Sequence, residues 1–414
     1  MKQLKRGKAI NVFSKTIVCA LLVFLCVGCA ALQELIDGQS GDTDTEEVQD
    51  GAITILDDNL RSSILSALGV TGPTITTVQA ESITNINTSG VADLSGLEGF
   101  SNLEYLTLKD STVTDLTPLF ELSELYSFSI KSEAANDSTK TRPALSDLSP
   151  LFGLSELNFL TISGFQVSDL TGIDAIEHLV SIDFSVNSII DISAISEIDG
   201  LSQLNLSYNN IDSVTSVSGL IGLNDLDLSH NLSIDLSGIS TLVNLTSLEI
   251  ESCGLTDLSF VSNLSKLTIL NANNNSIQDV SRLSGAVKLS YVYLENNDVD
   301  DISSFSGLID LSTINLSKNE IVDVSALADK PSLGVINLSD NNIVDVTPFV
   351  SIPKLYSLDI SGNEITDVSS LVLDSGDTWY TTLNLSGNNI SDISSFSSID
   401  FIQYLYLASN EIVD

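Results

Sequence analysis

Apolar residues in this chain fall in short alternating runs that return at a constant interval. One such run is Leu201-Ser-Gln-Leu204-Asn-Leu206-Ser-Tyr-Asn209-Asn-Ile211. The pattern L-x-x-L-x-L-x-x-N-x-I, with Leu and Ile interchanging, recurs at Leu311 to Ile321, Leu333 to Ile343 and Leu355 to Ile365. Each run is followed by a second signature: an apolar residue, any residue, Asp, an apolar residue, then Ser or Thr. Its anchor acids are Asp93, Asp115, Asp147, Asp169, Asp191, Asp235, Asp257, Asp279, Asp301, Asp323, Asp345, Asp367, Asp392 and Asp414, with Ser213 in the one vacant place. Every step is 22 residues except 115 to 147 and 367 to 392, which locate insertions of ten and three residues. Self-similarity at such a period describes a stacked array of small units.

Each unit contains the elements of one coil. The stretch Gln203 to Ser207 alternates with period two, which predicts a short strand with Leu inward and the intervening side chains outward. Stacked copies make a parallel sheet. The Asn four residues before the anchor (Asn187, Asn209, Asn231, Asn275, Asn297, Asn319, Asn341, Asn363, Asn388, Asn410) turns the chain out of the strand, where its amide satisfies backbone groups of adjacent coils. The anchor Asp, followed by an apolar turn such as Val324-Ser-Ala-Leu327, is expected to N-cap a helical or 3₁₀ turn. These are leucine-rich repeats. The predicted fold is an α/β horseshoe solenoid with a parallel sheet on its concave face and short 3₁₀ or irregular turns on its convex face. Cys253 takes an Asn place and is expected to be a buried core thiol. At the N-terminal end Ser111, Pro143 and Phe165 hold the Asn places, so the ladder is expected to fail there.

A solenoid must cover the ends of its core. Asp57 is placed to cap a helix through Leu60, Ile64, Leu65 and Leu68 that stops at Gly69, and Ile75, Val78, Ile83 and Ile86 are expected to join it to the first coil. This opening, Ile55-Leu-Asp-Asp-Asn-Leu60-Arg-Ser-Ser-Ile64, then Gly72-Pro-Thr-Ile75-Thr, then Val91-Ala-Asp-Leu-Ser-Gly-Leu97, resembles the N-terminal cap and first repeat of internalin-type bacterial proteins. The resemblance covers residues 53–414. It implies a protein-binding solenoid and suggests adhesion by analogy. The expected organisation is a signal peptide at 1–28, an acidic lipid-anchored tether at 29–51, a helical cap at 52–92 and repeats at 93–414. The chain stops within a repeat with no C-terminal cap, which is expected of a truncated frame or of an end covered by a partner.

The first residues read as an export address. A basic stretch precedes the apolar run Thr16 to Val27, which at about a dozen residues is too short to span a bilayer. Leu25-Cys-Val-Gly-Cys29 resembles a bacterial lipobox, which implies lipidation of Cys29 and residence at the outer membrane or cell surface. The Leu sits one step early, and ordinary cleavage after Ala30 with secretion is the alternative. Either route leaves Cys253 as the single cysteine of the repeats, so no intrachain disulfide framework is expected.

Composition narrows the function. The chain has 414 residues, with 55 acidic and 16 basic side chains, and a formal charge of -39. Lys2, Lys5, Arg6, Lys8 and Lys15 all precede the export cut, which leaves the body more acidic still. Such a surface repels phosphate backbones and anionic lipid, so no nucleic-acid partner is expected, and contact with membrane is through an N-terminal lipid only. The fourteen anchor acids are assigned to architecture. Strand phase places the outward positions ten, eight and six residues before each anchor. Asp183, Asp225, Asp227, Glu249 and Glu251 form an acidic field there, with Tyr291, Tyr293 and Glu295 beside it. Strands about 4.8 Å apart bring Asp227 and Glu249 together, unfavourably unless a cation or basic group meets them. Two readings stand: a basic protein surface docks on these residues, or they are a solvated face.

The insertion Ser132 to Thr141, with Lys131, Lys140 and Arg142, forms a local basic patch best read as a surface insertion. Asp374-Ser-Gly-Asp377-Thr-Trp379 lacks the remaining ligands of a calcium loop. His178 and His230 have no partner in a recognisable motif, and no phosphate loop or metal spacing occurs, so neither an enzymatic role nor a cofactor is expected. The leading expectation is an exported recognition protein that binds another protein. The alternative is a structural envelope scaffold without an extracellular ligand.

Overall fold

In every repeat the alternating segment becomes a strand because its Leu and Ile side chains have one dry side available, the interior enclosed between the sheet and the 3₁₀ turns. Leu226, Leu248, Leu270 and Val292 are successive members of one fully buried row. Burying each such side chain is worth about 1.5–3 kcal/mol, and the row continues through the whole stack. The computed structural model describes residues 51–414 except 73, 137–140, 372–378, 400 and 414. The expected signal segment, nearly all of the tether, Cys29, Lys140, Asp414 and the acids of the second insertion therefore lie outside the described residues.

Two short strands, β1 (Ala52–Ile53) and β2 (Ile75–Thr76), pair antiparallel at the start. The remaining strands are β3 (Asn85–Ser89), β4 (Tyr105–Lys109), β5 (Ser127–Lys131), β6 (Phe159–Ser163), β7 (Ser181–Asp183), β8 (Gln203–Asn205), β9 (Asp225–Asp227) and β10 (Ser247–Glu249). They continue with β11 (Ile269–Asn271), β12 (Tyr291–Tyr293), β13 (Thr313–Asn315), β14 (Val335–Asn337), β15 (Ser357–Asp359), β16 (Trp379–Asn384) and β17 (Phe401–Tyr406). These fifteen form one sheet in sequence order, and each described neighbour pair is parallel. The register keeps equivalent residues level: Ser247 faces Asp225 and Ile269, and Glu249 faces Asp227 and Asn271. Short 3₁₀ turns such as Ser193–Glu197 and Ser325–Leu327 line the opposite face. This is the expected leucine-rich repeat solenoid.

The N-terminal cap is helix α1 (Asp58–Leu68). Asp57 Oδ1 accepts the amides of Asn59 and Leu60 at 2.9 and 3.0 Å, and Gly69 ends the helix at φ 66°. Asp57 Oδ2 also accepts the Ala92 amide at 2.8 Å, tying the cap to the first coil. A second short helix, α2 (Thr77–Glu81), turns Ala80 inward and leaves Val78 67% exposed, so Val78 does not make the expected join.

The Asn ladder is present, and its chemistry is uniform. Asn319 Nδ2 donates to the carbonyls of Leu294 and Leu316 at 2.9 and 3.0 Å, while its Oδ1 accepts the Val299 amide at 3.0 Å. One side chain thus joins two coils. Ser111 preserves part of this at the N-terminal end: its hydroxyl donates to the Val91 carbonyl at 2.8 Å and accepts the Val113 amide. Phe165 is fully buried and packs as core instead.

The anchor acids act one residue earlier than an N-cap would. Each of the described anchors accepts the amide of the Ser or Thr two residues on, as Asp191 does from Ser193 at 2.8 Å, and the capping position itself carries no side-chain acceptor, as at Ile192. This is an Asx turn that starts the 3₁₀ segment. Hydrogen bonds from Ser259 hold the Asp257 carboxyl below its ordinary range, and Ser325 does the same for Asp323.

Cys253 is buried with its thiol pushed up to about 11 by desolvation, and Sγ lies 3.3 Å from the Leu228 carbonyl. A thiol cannot replace the Asn carbonyl, so the Ser233 amide binds the Cys253 backbone carbonyl at 2.9 Å. The chain bulges here: Ser233 takes φ 64°, Leu232 is 75% exposed and Ile234 fills the core place. A groove of about 370 Å³ opens beyond the bulge, between residues 233–237 and 254–260. On the other side the coil is pressed close, since a Cβ on Gly238 would lie 2.3 Å from the Val214 carbonyl oxygen.

Candidate concave-face binding site

The outward side chains of the sheet follow a default that the sequence pattern did not expose. At the middle position an Asp or Asn accepts the amide two residues on: Asn205 from Ser207 at 3.0 Å, Asp227 from Ser229 at 3.0 Å, Asp359 from Ser361 at 3.0 Å. From β7 to β15 a side chain takes the amide two residues past this position, in most coils the Asx itself, and each of these strands is three residues long. Strands β4 to β6 carry Thr or Ser there and run for five. Asp183 belongs to the default, accepting the Ser185 amide at 3.1 Å.

Two coils break it. In β10 Glu249 replaces the Asx, and the Glu251 amide is met by the Ser229 hydroxyl of the preceding coil at 3.2 Å. In β12 Tyr293 replaces it, and the Glu295 amide is met by Asn273 Oδ1 at 2.7 Å. Glu249 and Tyr293 are therefore free of turn duty.

Asp225, Asp227 and Glu249 share one hollow of about 220 Å³ with Ser181, Asp183, Gln203 and Asn205. Burial pushes the Glu249 carboxyl above its ordinary range, and the charges of Asp227 and Asp225 add to the rise. Burial likewise raises Asp225, against a hydrogen bond to Ser247, with Asp227 adding a little. None of these three carboxylates takes part in the ion pairs found among the described residues. The sheet thus presents unneutralised charge where water is partly excluded.

The other expected site residues are differently placed. Asp183 pairs with Lys131 at 3.1 Å, across two strands. Glu295 is held by Lys318 at 2.7 Å and Asn315 at 3.1 Å, and the Lys318 hydrogen bond keeps its carboxyl below the ordinary range. Glu251 accepts from Asn274 at 2.9 Å and lies 4.0 Å from His230 Nε2. Tyr291 is 40% exposed, and Tyr293 is half-buried beside Asn271 and Asn315. The structure therefore brings Asp225, Asp227 and Glu249 together, sets the tyrosines on β12, and shows Asp183, Glu251 and Glu295 already engaged within the chain.

Sequence reasoning missed two features. Tyr208 and His230 stack at 3.9 Å with an interplanar angle of 18°. Both are at positive φ just past the strand, a position outside the three outward columns. Tyr126 also lies outside them, one residue before β5, yet its ring meets Tyr105 at 5.9 Å and Phe159 at 5.4 Å. The spacing of Tyr105, Tyr126 and Phe159 over consecutive coils was the available signal.

An internalin from Listeria monocytogenes superimposes with a TM-score of 0.63 at 26% identity, over 84% of this chain and 94% of its own. The fold is internalin-like. A leucine-rich repeat protein from Leptospira interrogans matches with a TM-score of 0.69 at 19% identity, over 81% and 93%. A plant peptide hormone receptor solved in complex with RGF2 matches with a TM-score of 0.52 at 18%, over 81% and 68%. No protein-family model and no curated protein matches the sequence.

Proposed function

We propose that this chain is an exported recognition protein of the bacterial cell surface, anchored through a lipid on Cys29, that binds a protein partner through the concave face of its repeats. The observation that carries the reading is the hollow of Asp225, Asp227 and Glu249. Three carboxylates held together at a partly dry surface cost free energy in the isolated protein, and a Lys or Arg of a partner relieves it. The tyrosines of β12, two strands beyond Glu249, supply the large amphipathic surface that anchors interfaces. Adhesion is a use suggested by the internalin-like fold, and binding of a peptide or protein by the plant receptor's architecture; both are analogies of fold. The reading is not enzymatic: His230 is stacked on Tyr208, and the nearest acid, Glu251, is shared with Asn274.

The test is photo-crosslinking in intact cells. A benzophenone side chain at Tyr291 should give a discrete adduct that disappears with Asp225→Asn, Asp227→Asn and Glu249→Gln combined, while the same group at the exposed Ser262 gives none. Adducts that persist in the neutralised variant would remove the hollow from the account.

A further inference from the structure

The concave face carries a second exposed patch, whose nearest strand, β6, is three strands from Asp225. Tyr105, Tyr126 and Phe159 lie on consecutive coils, 40%, 37% and 39% exposed. Their rings meet edge to face, with interplanar angles of 66° and 62°. Edge-to-face pairs hold aromatic rings in place while leaving a face of each open. The strand positions around them are small and polar, Thr107, Ser127, Ser129 and Thr161, so the rings stand above a hydroxyl-lined floor. A contiguous exposed aromatic surface is the kind that marks an interaction site.

Charge and geometry together define what fits. Tyr105, Phe159, Asp225 and Tyr291 all occupy the first outward position of their strands, which the parallel register keeps in line. Phe159 on β6 and Asp225 on β9 are three strands apart, and Tyr291 on β12 is three strands further. At about 4.8 Å per strand each interval is about 14 Å, or about four residues of extended chain. The occupant must place a cation at the centre and apolar groups at both ends.

We infer that the concave face binds an extended polypeptide segment lying across the strands, with a Lys or Arg in the Asp225–Asp227–Glu249 hollow and aromatic or large aliphatic side chains four residues away on either side. One lies on the Tyr105–Tyr126–Phe159 shelf and the other over Tyr291. This deepens the proposed function and rests on it for the hollow; the shelf is independent of that reading.

The test is fluorescence polarisation with three labelled nine-residue peptides and the full chain made soluble by Cys29→Ser. Each has Arg at its centre and Ser or Gly elsewhere; the first has Phe four residues away on both sides, the second has Phe two residues away, and the third has none. The first should bind at least about tenfold tighter than the other two. Tyr126→Ser with Phe159→Ser should cut that advantage by at least half its logarithm, since the Tyr291 contact remains. Asp225→Asn with Glu249→Gln should weaken all three peptides. Thermal melting checks folding, and Tyr105→Ser alone serves if the double variant melts early. Equal binding of the first and third peptides, or an advantage untouched by the shelf variants, overturns the inference. Should either of those results come with weakening of all peptides by Asp225→Asn with Glu249→Gln, the hollow stands while the shelf falls. Absence of binding by any peptide overturns the extended-segment inference, and the crosslinking experiment judges the docking reading separately.

Discussion

Replacing Asn319 by Ala should be among the most damaging small changes in the repeats. The side chain is 8% exposed and makes four bonds: Nδ2 donates to the Leu294, Leu316 and Ser317 carbonyls, and Oδ1 accepts the Val299 amide. A net hydrogen bond is worth about 1 kcal/mol, and a buried backbone group left alone costs about 1–3 kcal/mol. Losing them together, with two Nδ2 hydrogens shared among three carbonyls and water able to reach part of the gap, gives a loss of about 3–5 kcal/mol. The bonds to Leu294 and Val299 cross from one coil to the one before it, so the loss falls on an interface between repeats. A solenoid is stabilised by such interfaces in series, and the urea transition should broaden or split as well as shift. Asn410 makes the equivalent bonds to Leu385 and Leu407 but is only part-buried, and Asn410→Ala should cost about 1 kcal/mol. Asn319→Cys, which copies the place held by Cys253, should fall between. Urea unfolding followed by circular dichroism measures all three. A cost for Asn319→Ala below about 1 kcal/mol, or equal to that of Asn410→Ala, would refute the ladder as the bond between coils.

Four further outcomes follow from particular groups. Asp225 and Glu249 have raised pKa values when folded, so the folded chain holds their protons more tightly than the unfolded chain. Their charge is therefore destabilising at neutral pH and the penalty fades as pH falls through the folded values toward 3.8 and 4.5; Asp225→Asn with Glu249→Gln should raise the urea midpoint at pH 7, with the gain shrinking by pH 4. Anchor acids such as Asp257 and Asp323 have the opposite sign, giving stability above 3.8 that is lost in stronger acid, and Asp→Asn there, which keeps the turn acceptor, should flatten that loss. In a chain with Cys19, Cys26 and Cys29 changed to Ser, Cys253 should react with a disulfide reagent only on unfolding, because its thiol is buried and pushed up to about 11; rapid reaction of the folded chain would contradict its place in the core. Protease shaving of intact cells should remove the wild-type repeats, and Cys29→Ser should release the protein from the cells; protection of the wild type until the envelope is broken would move it off the surface.

The fold was legible because it is written many times over. A single Leu or Asn says little, but the same residue at fourteen or ten equivalent places assigns strand phase, core and ladder at once. The helix from Asp57 to Gly69 was readable from its cap residues alone. What escaped was chemistry between neighbours at the same position. The Asx-x-Ser turn at Asn205, Asp227 and Asp359 lies within the repeat, but strand phase marks these positions only as outward and is silent on the amide two residues on, so the acidic field includes Asp183, which Ser185 and Lys131 already engage. Lys131–Asp183 and Lys318–Glu295 join residues on different coils. Strand register alone does not say which long side chain leans toward which acid. Val78 failed for a similar reason: the short helix α2 has too few residues to show a period, and its rotation is set by the capping box of Thr76 and Gln79.

The central claim is that the concave hollow, and not the general acidity of the chain, recognises a partner. Its most direct test is the affinity of the crosslinked partner, once purified, for the wild-type chain and for the variant with Asp225→Asn, Asp227→Asn and Glu249→Gln, measured by titration calorimetry at two salt concentrations. As a control, three anchor acids on the opposite face, Asp279, Asp301 and Asp345, are changed to Asn, which removes the same charge. The account predicts at least about a tenfold loss of affinity for the hollow variant, with little change for the control. Equal effects of the two variants, or none from the hollow, would contradict it.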